Sequence, residues 1–259
     1  MTHIEAVSLV DTHAHLCSPD FARDLEDVLA RARSAAVRAV IAVGETLADA
    51  ARNLDLSEHY PMIRPAAGLY PTVLDRQQAE ALHGFVRRYR SRLAAIGEVG
   101  LDHWAVKEEK DRELQREIFK GFIGLAREMD LPLNVHSRSA GRPAIGLLLE
   151  SGAARVQLHA FDGRASTAGP AVEAGYYFSI PPSVVRSRQK QKLVKQLPLS
   201  CLLVETDSPV LGPDPAVRNE PANLPLALQA IAEIKSLPEQ AVVEALATNT
   251  TRLYGHLSP

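Results

Sequence analysis

Ser8-Leu-Val-Asp11-Thr-His13-Ala-His15-Leu16 begins as an apolar strand start and runs directly into two histidines spaced i, i+2. Along an extended strand side chains alternate faces, so His13 and His15 point the same way. Their Cα atoms then lie roughly 7 Å apart, within reach of one metal cluster. A lone His-x-His also turns up on ordinary surface strands, so its meaning depends on what the rest of the chain sets beside it.

Seven more short runs rich in Val, Ile and Leu follow the first, Ser8–Asp11. They are Val37–Val43, Ile63–Gly68, Ala94–Glu98, Leu133–His136, Val156–His159, Tyr176–Ile180 and Leu202–Glu205. Amphipathic stretches lie between them, among them Asp20–Ala36, Gln77–Tyr89, Asp111–Glu128, Pro143–Ser151 and Val184–Gln196. Two further helices, Leu224–Lys235 and Pro238–Arg252, close the chain, the second with a proline at its start. Eight strands alternating with helices predict an α/β fold, the (β/α)8 TIM barrel. An open doubly wound sheet is the competing architecture, but it usually carries a Gly-rich nucleotide turn, and neither G-x-G-x-x-G nor a P-loop occurs here. With no repeat, low-complexity tract or linker, residues 1–259 are expected to form a single domain, and Gly212-Pro213-Asp214-Pro215 reads as part of a long loop.

The composition sets limits. At 259 residues and 46% hydrophobic the chain can bury a large core, yet it has no apolar run long enough for a bilayer and no N-terminal signal pattern. The net charge of −2 argues against coating nucleic acid by bulk electrostatics, though not against gripping a few phosphates locally. Cys17 and Cys201 fall at opposite ends of the expected barrel, too far apart for a disulfide. The expected setting is therefore a reducing compartment, cytoplasm or nucleus, rather than secretion or a membrane.

Barrel enzymes use the C-terminal ends of their strands. Those positions carry Asp11-x-His13-x-His15 after the first strand, Glu98 at the fourth, His136 at the fifth, His159 at the sixth and Asp207 at the eighth. Taken singly, each histidine could be a hydrogen-bonded core residue, Glu98 a rim carboxylate and Asp207 a turn cap. Convergence of five strands on one rim favours a metal centre instead. Six ligands exceed one tetrahedral zinc, so two divalent ions are expected, with Glu98 bridging them. Two such ions against two carboxylates leave a local charge of roughly +2, which acidifies a bridging water and attracts an anionic substrate. Asp207 can both ligate and accept the proton of the attacking water, so Asp207 and Glu98 are the candidate catalytic residues.

The chain resembles the TatD-like metal-dependent deoxyribonucleases, a branch of the amidohydrolase-type metal barrels. The resemblance rests on Asp11-Thr-His-Ala-His15, Gly97-Glu-Val-Gly-Leu-Asp102, Asn134-Val-His-Ser-Arg138, Leu158-His-Ala-Phe161, Glu205-Thr-Asp-Ser-Pro209 and Arg218-Asn-Glu-Pro221, spread over nearly the whole sequence. It implies His13, His15, Glu98, His136, His159 and Asp207 as metal ligands, and hydrolysis of DNA phosphodiesters with a divalent cation such as zinc, magnesium or manganese. Arg138, two residues after His136 and on the same face if the strand continues, is placed to hold a phosphate or to form a rim salt bridge. Glu205 and Asp102 are placed to orient histidines or water, whereas Arg218 and Glu220 have no role derivable from sequence.

One position departs from the family pattern. Members commonly carry Gly-x-His-Pro after the third strand, where this chain reads Gly68-Leu-Tyr70-Pro71. Tyr70 can donate a hydrogen bond to a substrate but cannot supply an imidazolium charge, so weaker phosphate engagement or an altered preference is expected. With no basic stripe for tracking a duplex, the expected mode is attack near strand ends or on single strands. A small phosphoester or amide substrate, or a metal-binding barrel that has lost catalysis, are the alternatives.

Overall fold

In the computed structural model, which describes residues 9–257, apolar strands and amphipathic helices alternate along the chain. The first half runs β1 (Leu9–Ala14), α1 (Leu25–Ser34), β2 (Val37–Ala42), α2 (Leu47–His59), β3 (Ile63–Ala67), α3 (Arg76–Tyr89), β4 (Ala95–Gly100) and α4 (Glu109–Met129). The second runs β5 (Leu133–His136), α5 (Gly141–Glu150), β6 (Val156–Leu158), α6 (Ala165–Glu173), β7 (Tyr177–Ile180), α7 (Arg188–Gln196), β8 (Leu202–Val204), α8 (Leu224–Lys235) and α9 (Glu239–Tyr254). The strands lie in sequence order and every paired neighbour is parallel, as repeated βα crossovers require.

Strand alternation sorts the buried residues into two layers. Val40, Ile63, Ile96 and Leu202 belong to the main core with helix residues such as Phe122, Leu148 and Leu193. Ile41, Ala66, Ala95 and Leu203 form a smaller inner cluster closed by Leu253 and Tyr254 of α9. A polar layer is also buried: Thr12, Asn134, Gln157, Ser179 and Glu205, each at 0% exposure. Its members satisfy one another, with Ser179 Oγ donating to Glu205 at 2.6 Å, Gln157 donating to Ser179 at 2.8 Å and Tyr254 donating to Gln157 at 2.5 Å.

The first and last strands meet across a seam made by polar groups. Asp11 accepts from both the amide and the hydroxyl of Thr206, and Thr12 Oγ1 donates to Val204 O at 2.8 Å. Beyond the strand, Asp207 N donates to His13 O at 2.8 Å and His15 N to Ser208 O at 2.8 Å.

The barrel agrees with the sequence expectation, with local differences. β1 continues to Ala14 rather than ending at Asp11, so His13 lies within the strand; Ser8 lies outside the described residues. Expected helix Asp20–Ala36 divides into a 3-10 turn, Pro19–Phe21, and α1, and Val184–Gln196 divides similarly at Ser187, whose side chain caps α7. Two helices escaped the hydrophobic pattern. α2 is announced by Thr46, whose hydroxyl accepts from Asp49 N, and α6 is disguised by the interior Pro170.

Candidate metal centre

The six expected ligands come together at the C-terminal mouth of the barrel, and all but His15 are buried. β1 supplies His13, and His15 lies just past its end; their Nε2 atoms are 3.2 Å apart. β4 supplies Glu98, and β5 ends on His136. His159 directly follows β6, and Asp207 lies in the loop after β8. β4 approaches β5 closely because residue 100 is glycine: its φ is +145°, and a Cβ there would overlap the carbonyl oxygen of His136.

Hydrogen bonds behind the ligands fix which ring nitrogens face inward. Asn134 spends its amide donors on Thr12 O, at 2.9 Å, and on Tyr254, so its Oδ1 must accept from His13 Nδ1 at 2.8 Å. His13 therefore turns a lone pair at Nε2 into the cluster. His136 Nε2 lies 3.0 Å from Asp102 Oδ2, which places its proton on that side and leaves Nδ1 facing inward.

Glu98 joins two groups of imidazoles through its two oxygens. Oε1 is 2.6 Å from His136 Nδ1 and 2.7 Å from His159 Nε2. Oε2, which has no hydrogen-bond partner, is 3.5 Å from His15 Nε2 and 3.8 Å from His13 Nε2. Asp207 Oδ1 completes the second group, at 3.4 Å from His13 Nε2 and 3.3 Å from His15 Nε2. Converging lone pairs with a buried, unpartnered carboxylate oxygen are costly alone and suit a cation between them. His/Asp/Glu donors of this kind fit a divalent metal ion.

The buried carboxylates make this a strongly negative site, which favours positive charge of any kind, a proton or a metal ion. Burial alone would lower His13, but contact with Asp207 and the field of Glu98 raise it to about 10. His136 is likewise lowered by burial and then raised, by Asp102 and Glu98, to about 9. His159 falls to about 4 through burial and the nearby His13. Burial would raise Glu98 and Asp207, yet the imidazoles around them hold both carboxyls well below the usual range. Glu205 and Asp11, with less cationic surroundings, are pushed by burial up to about 7.

A cavity of about 670 Å³ opens over this cluster, lined by Tyr70, Arg138, Glu45 and Lys190 besides the ligands. The ring of Tyr70 stands edge-on to that of His136 at 5.1 Å, so the departing family position does face the site. Arg138 differs from expectation. β5 ends at His136, the chain turns at once, and the side chain forms no rim salt bridge among the described residues but lies over Trp104, 3.8 Å from the ring centroid. Asp102 does reach a histidine, whereas Glu205 reaches none: its Oε1 accepts from Ala160 N at 2.8 Å and so holds the backbone that follows His159. Arg218 and Glu220 belong to a clamp, Arg218 pairing with Asp24 at 2.6 Å and Glu220 with Arg31 at 2.6 Å, which ties the loop after β8 to the start of α1 and its interior. Sequence reasoning missed Asn134, Glu45 and Lys190. Asn134 carried one signal, two residues before His136 on one strand, and Lys190 another, three and four residues before Leu193 and Val194 on the apolar face of α7.

A family model described as TatD related DNase matches residues 10–255. The chain is 46% identical to Deoxyribonuclease TATDN3 of Homo sapiens over 97% of this chain and 96% of that protein. It is 32% identical to the uncharacterized metal-dependent hydrolase YabD of Bacillus subtilis, over 95% of this chain and 98% of that one. Among solved structures, the TATD homolog YJJV of Escherichia coli superimposes with a TM-score of 0.89 at 28% identity, covering 96% of this chain and 98% of that one.

Proposed function

The chain belongs to the family of TatD-related DNases, and from that premise we propose that it is a metal-dependent deoxyribonuclease working through the cluster at the barrel mouth. The observation that carries this reading is Glu98, whose Oε1 faces His136 and His159 and whose Oε2 faces His15 and His13 within one cluster of imidazoles. Two divalent ions would be held by Glu98 with His136 and His159 and by Glu98 with His13 and His15, Asp207 lying beside the second set. Zinc, magnesium and manganese all fit such donors. When bound, these ions supply an activated water and the positive charge that draws a phosphodiester into the cavity.

The side chains divide the remaining work. Asp207 accepts the proton of the attacking water, since one of its oxygens faces His13 and His15 and the other remains available. Asp102 and Asn134 hold His136 and His13 in the tautomers that present lone pairs. Arg138, fixed over Trp104, contributes donors to a phosphate, and Tyr70 a hydroxyl. One domain spanning the chain suffices for this chemistry. No helix among the described residues is long and apolar enough to cross a membrane, and both cysteines are free and buried, which favours cytoplasm or nucleus.

Metal analysis joined to hydrolysis of end-labelled linear and circular single-stranded DNA tests the proposal. Stoichiometric divalent metal and cutting of the linear strand are expected, with the circle resistant. Efficient cutting of the circle would remove the preference for ends, and metal-loaded protein that hydrolyses no DNA would remove the nuclease assignment.

A further inference from the structure

Lys190 lies in the first turn of α7 and is 8% exposed. The other basic residues of that helix, Arg188, Lys192 and Lys195, are all exposed. Its side chain lines the cavity that also contains Glu98, His136, His159 and Asp207. There Nζ donates to Ala160 O at 2.9 Å, on the residue that follows His159. Glu205, Asp207 and Asp162 act on the ammonium through space, and no carboxylate among the described residues bonds to it.

For a purely structural cation this is an expensive position. Burial removes its water. The first turn of a helix is the positive end of the backbone dipole and disfavours a second positive charge. An ammonium has three donors, and its one hydrogen bond among the described residues leaves two to be satisfied on a side chain that lines the cavity. Burial accordingly pushes the group below the usual lysine range, with Glu205 and Asp207 opposing the shift. An anionic oxygen delivered into the cavity would meet those spare donors.

We propose that Lys190 is a substrate-binding residue that holds a non-bridging oxygen of the nucleic-acid backbone, in addition to Arg138. This rests on the nuclease reading above and extends it to a particular phosphate contact. Because Lys190 hangs from α7, it approaches the phosphate from a different element than the β5 loop that carries Arg138. Two cations on separate elements set the path of the strand across the metal cluster as well as its affinity.

The test is binding of an end-labelled, phosphorothioate-linked single-stranded oligonucleotide to the metal-loaded protein, followed by fluorescence anisotropy across a salt series. Wild type is compared with Lys190→Met, Lys190→Gln and Lys190→Arg. Lys190→Met is expected to weaken binding about ten-fold, the loss of a charge-assisted hydrogen bond. It should also make the slope of log Kd against log salt shallower by about 0.7, the increment for one single-strand phosphate contact. Lys190→Arg should keep the wild-type slope. Lys190→Gln can still donate to Ala160 O but carries no charge, so it separates phosphate binding from support of the backbone and decides the matter if Lys190→Met does not fold. Wild-type affinity and slope in Lys190→Gln would overturn the proposal while leaving the nuclease reading intact. A wild-type protein that neither binds this oligonucleotide nor cuts its ordinary phosphodiester counterpart would overturn that reading, and this proposal with it.

Discussion

The guanidinium of Arg138 lies over the indole of Trp104, 3.8 Å from its centroid, joining the loop after β5 to the loop after β4. The indole is 57% exposed, so its place is explained by what it holds rather than by burial. A cation–π contact at such a site contributes about 0.5–1 kcal/mol. Trp104→Ala should therefore raise KM for DNA roughly two- to five-fold, with kcat moving less. Trp104→Phe should retain most of the contact. Steady-state kinetics on one oligonucleotide check this, and an unchanged KM in Trp104→Ala would remove the positioning role.

Asp102 acts on the metal cluster through His136 Nε2 at 3.0 Å. Asp102→Asn keeps the shape but weakens the acceptor that fixes the ring. Metal affinity should fall about 10–100-fold, read by titrating metal-free protein with zinc or manganese. Asp207→Asn should instead lower kcat by about 10²–10⁴, the usual scale for a lost general base. Equal activity in Asp207→Asn and wild type at saturating metal would sink the assigned proton transfer.

Metal removal should register in stability as well as turnover. A cation that binds the folded cluster and not the unfolded chain stabilises by about 2.7 kcal/mol at a hundred times its Kd. Melting temperature should accordingly rise with zinc or manganese concentration and drop on chelation. A melting curve indifferent to both would contradict a metal held by these buried donors.

Tyr70 faces the cavity at the position where the family resemblance implied a histidine, and its ring packs against His136. Burial, with Glu98 and Asp102 nearby, raises its hydroxyl above the usual tyrosine value, so it serves as a neutral donor at all working pH values. Tyr70→His should change the ratio of kcat/KM between DNA and a small phosphodiester. An unaltered ratio would show that this position does not set preference.

The two thiols supply a pH-linked check away from the metal. Burial, with Asp49 adding for Cys17, pushes Cys17 up to about 12, and burial pushes Cys201 up to about 12. A raised thiol pKa means little thiolate below that value, and the thiolate is the reactive form. Neither cysteine should react with a thiol reagent at pH 8 until denaturant is added. Rapid labelling of native protein would disprove their burial.

The candidate ligands were legible because strand ends in a barrel are where chemistry concentrates, and the strands concerned carried a titratable residue after an apolar run. The supporting residues were less so. Asn134 reads as an ordinary polar strand residue until its Oδ1 is seen against His13, 121 positions away. Lys190 reads as one more basic residue on a basic helix, and only Leu193 and Val194, three and four positions on, mark its face as the buried one. Arg138 was expected on a continuing strand, but the turn after His136 sends it to Trp104 instead. Local pattern shows which residues could act, while partnership across loops depends on how the ring closes.

That closure has a consequence in time. The amide of Asp207 is bonded to the carbonyl of His13, so the contact that seals the ring also delivers the residue proposed as general base. Synthesis proceeds from the N-terminus, and His13, His15, Glu98, His136 and His159 all emerge before Asp207 does. A nascent chain can thus carry most of the donors while lacking both the seam and the base. On the proposed assignment, hydrolysis can begin only once the last strand has docked against the first.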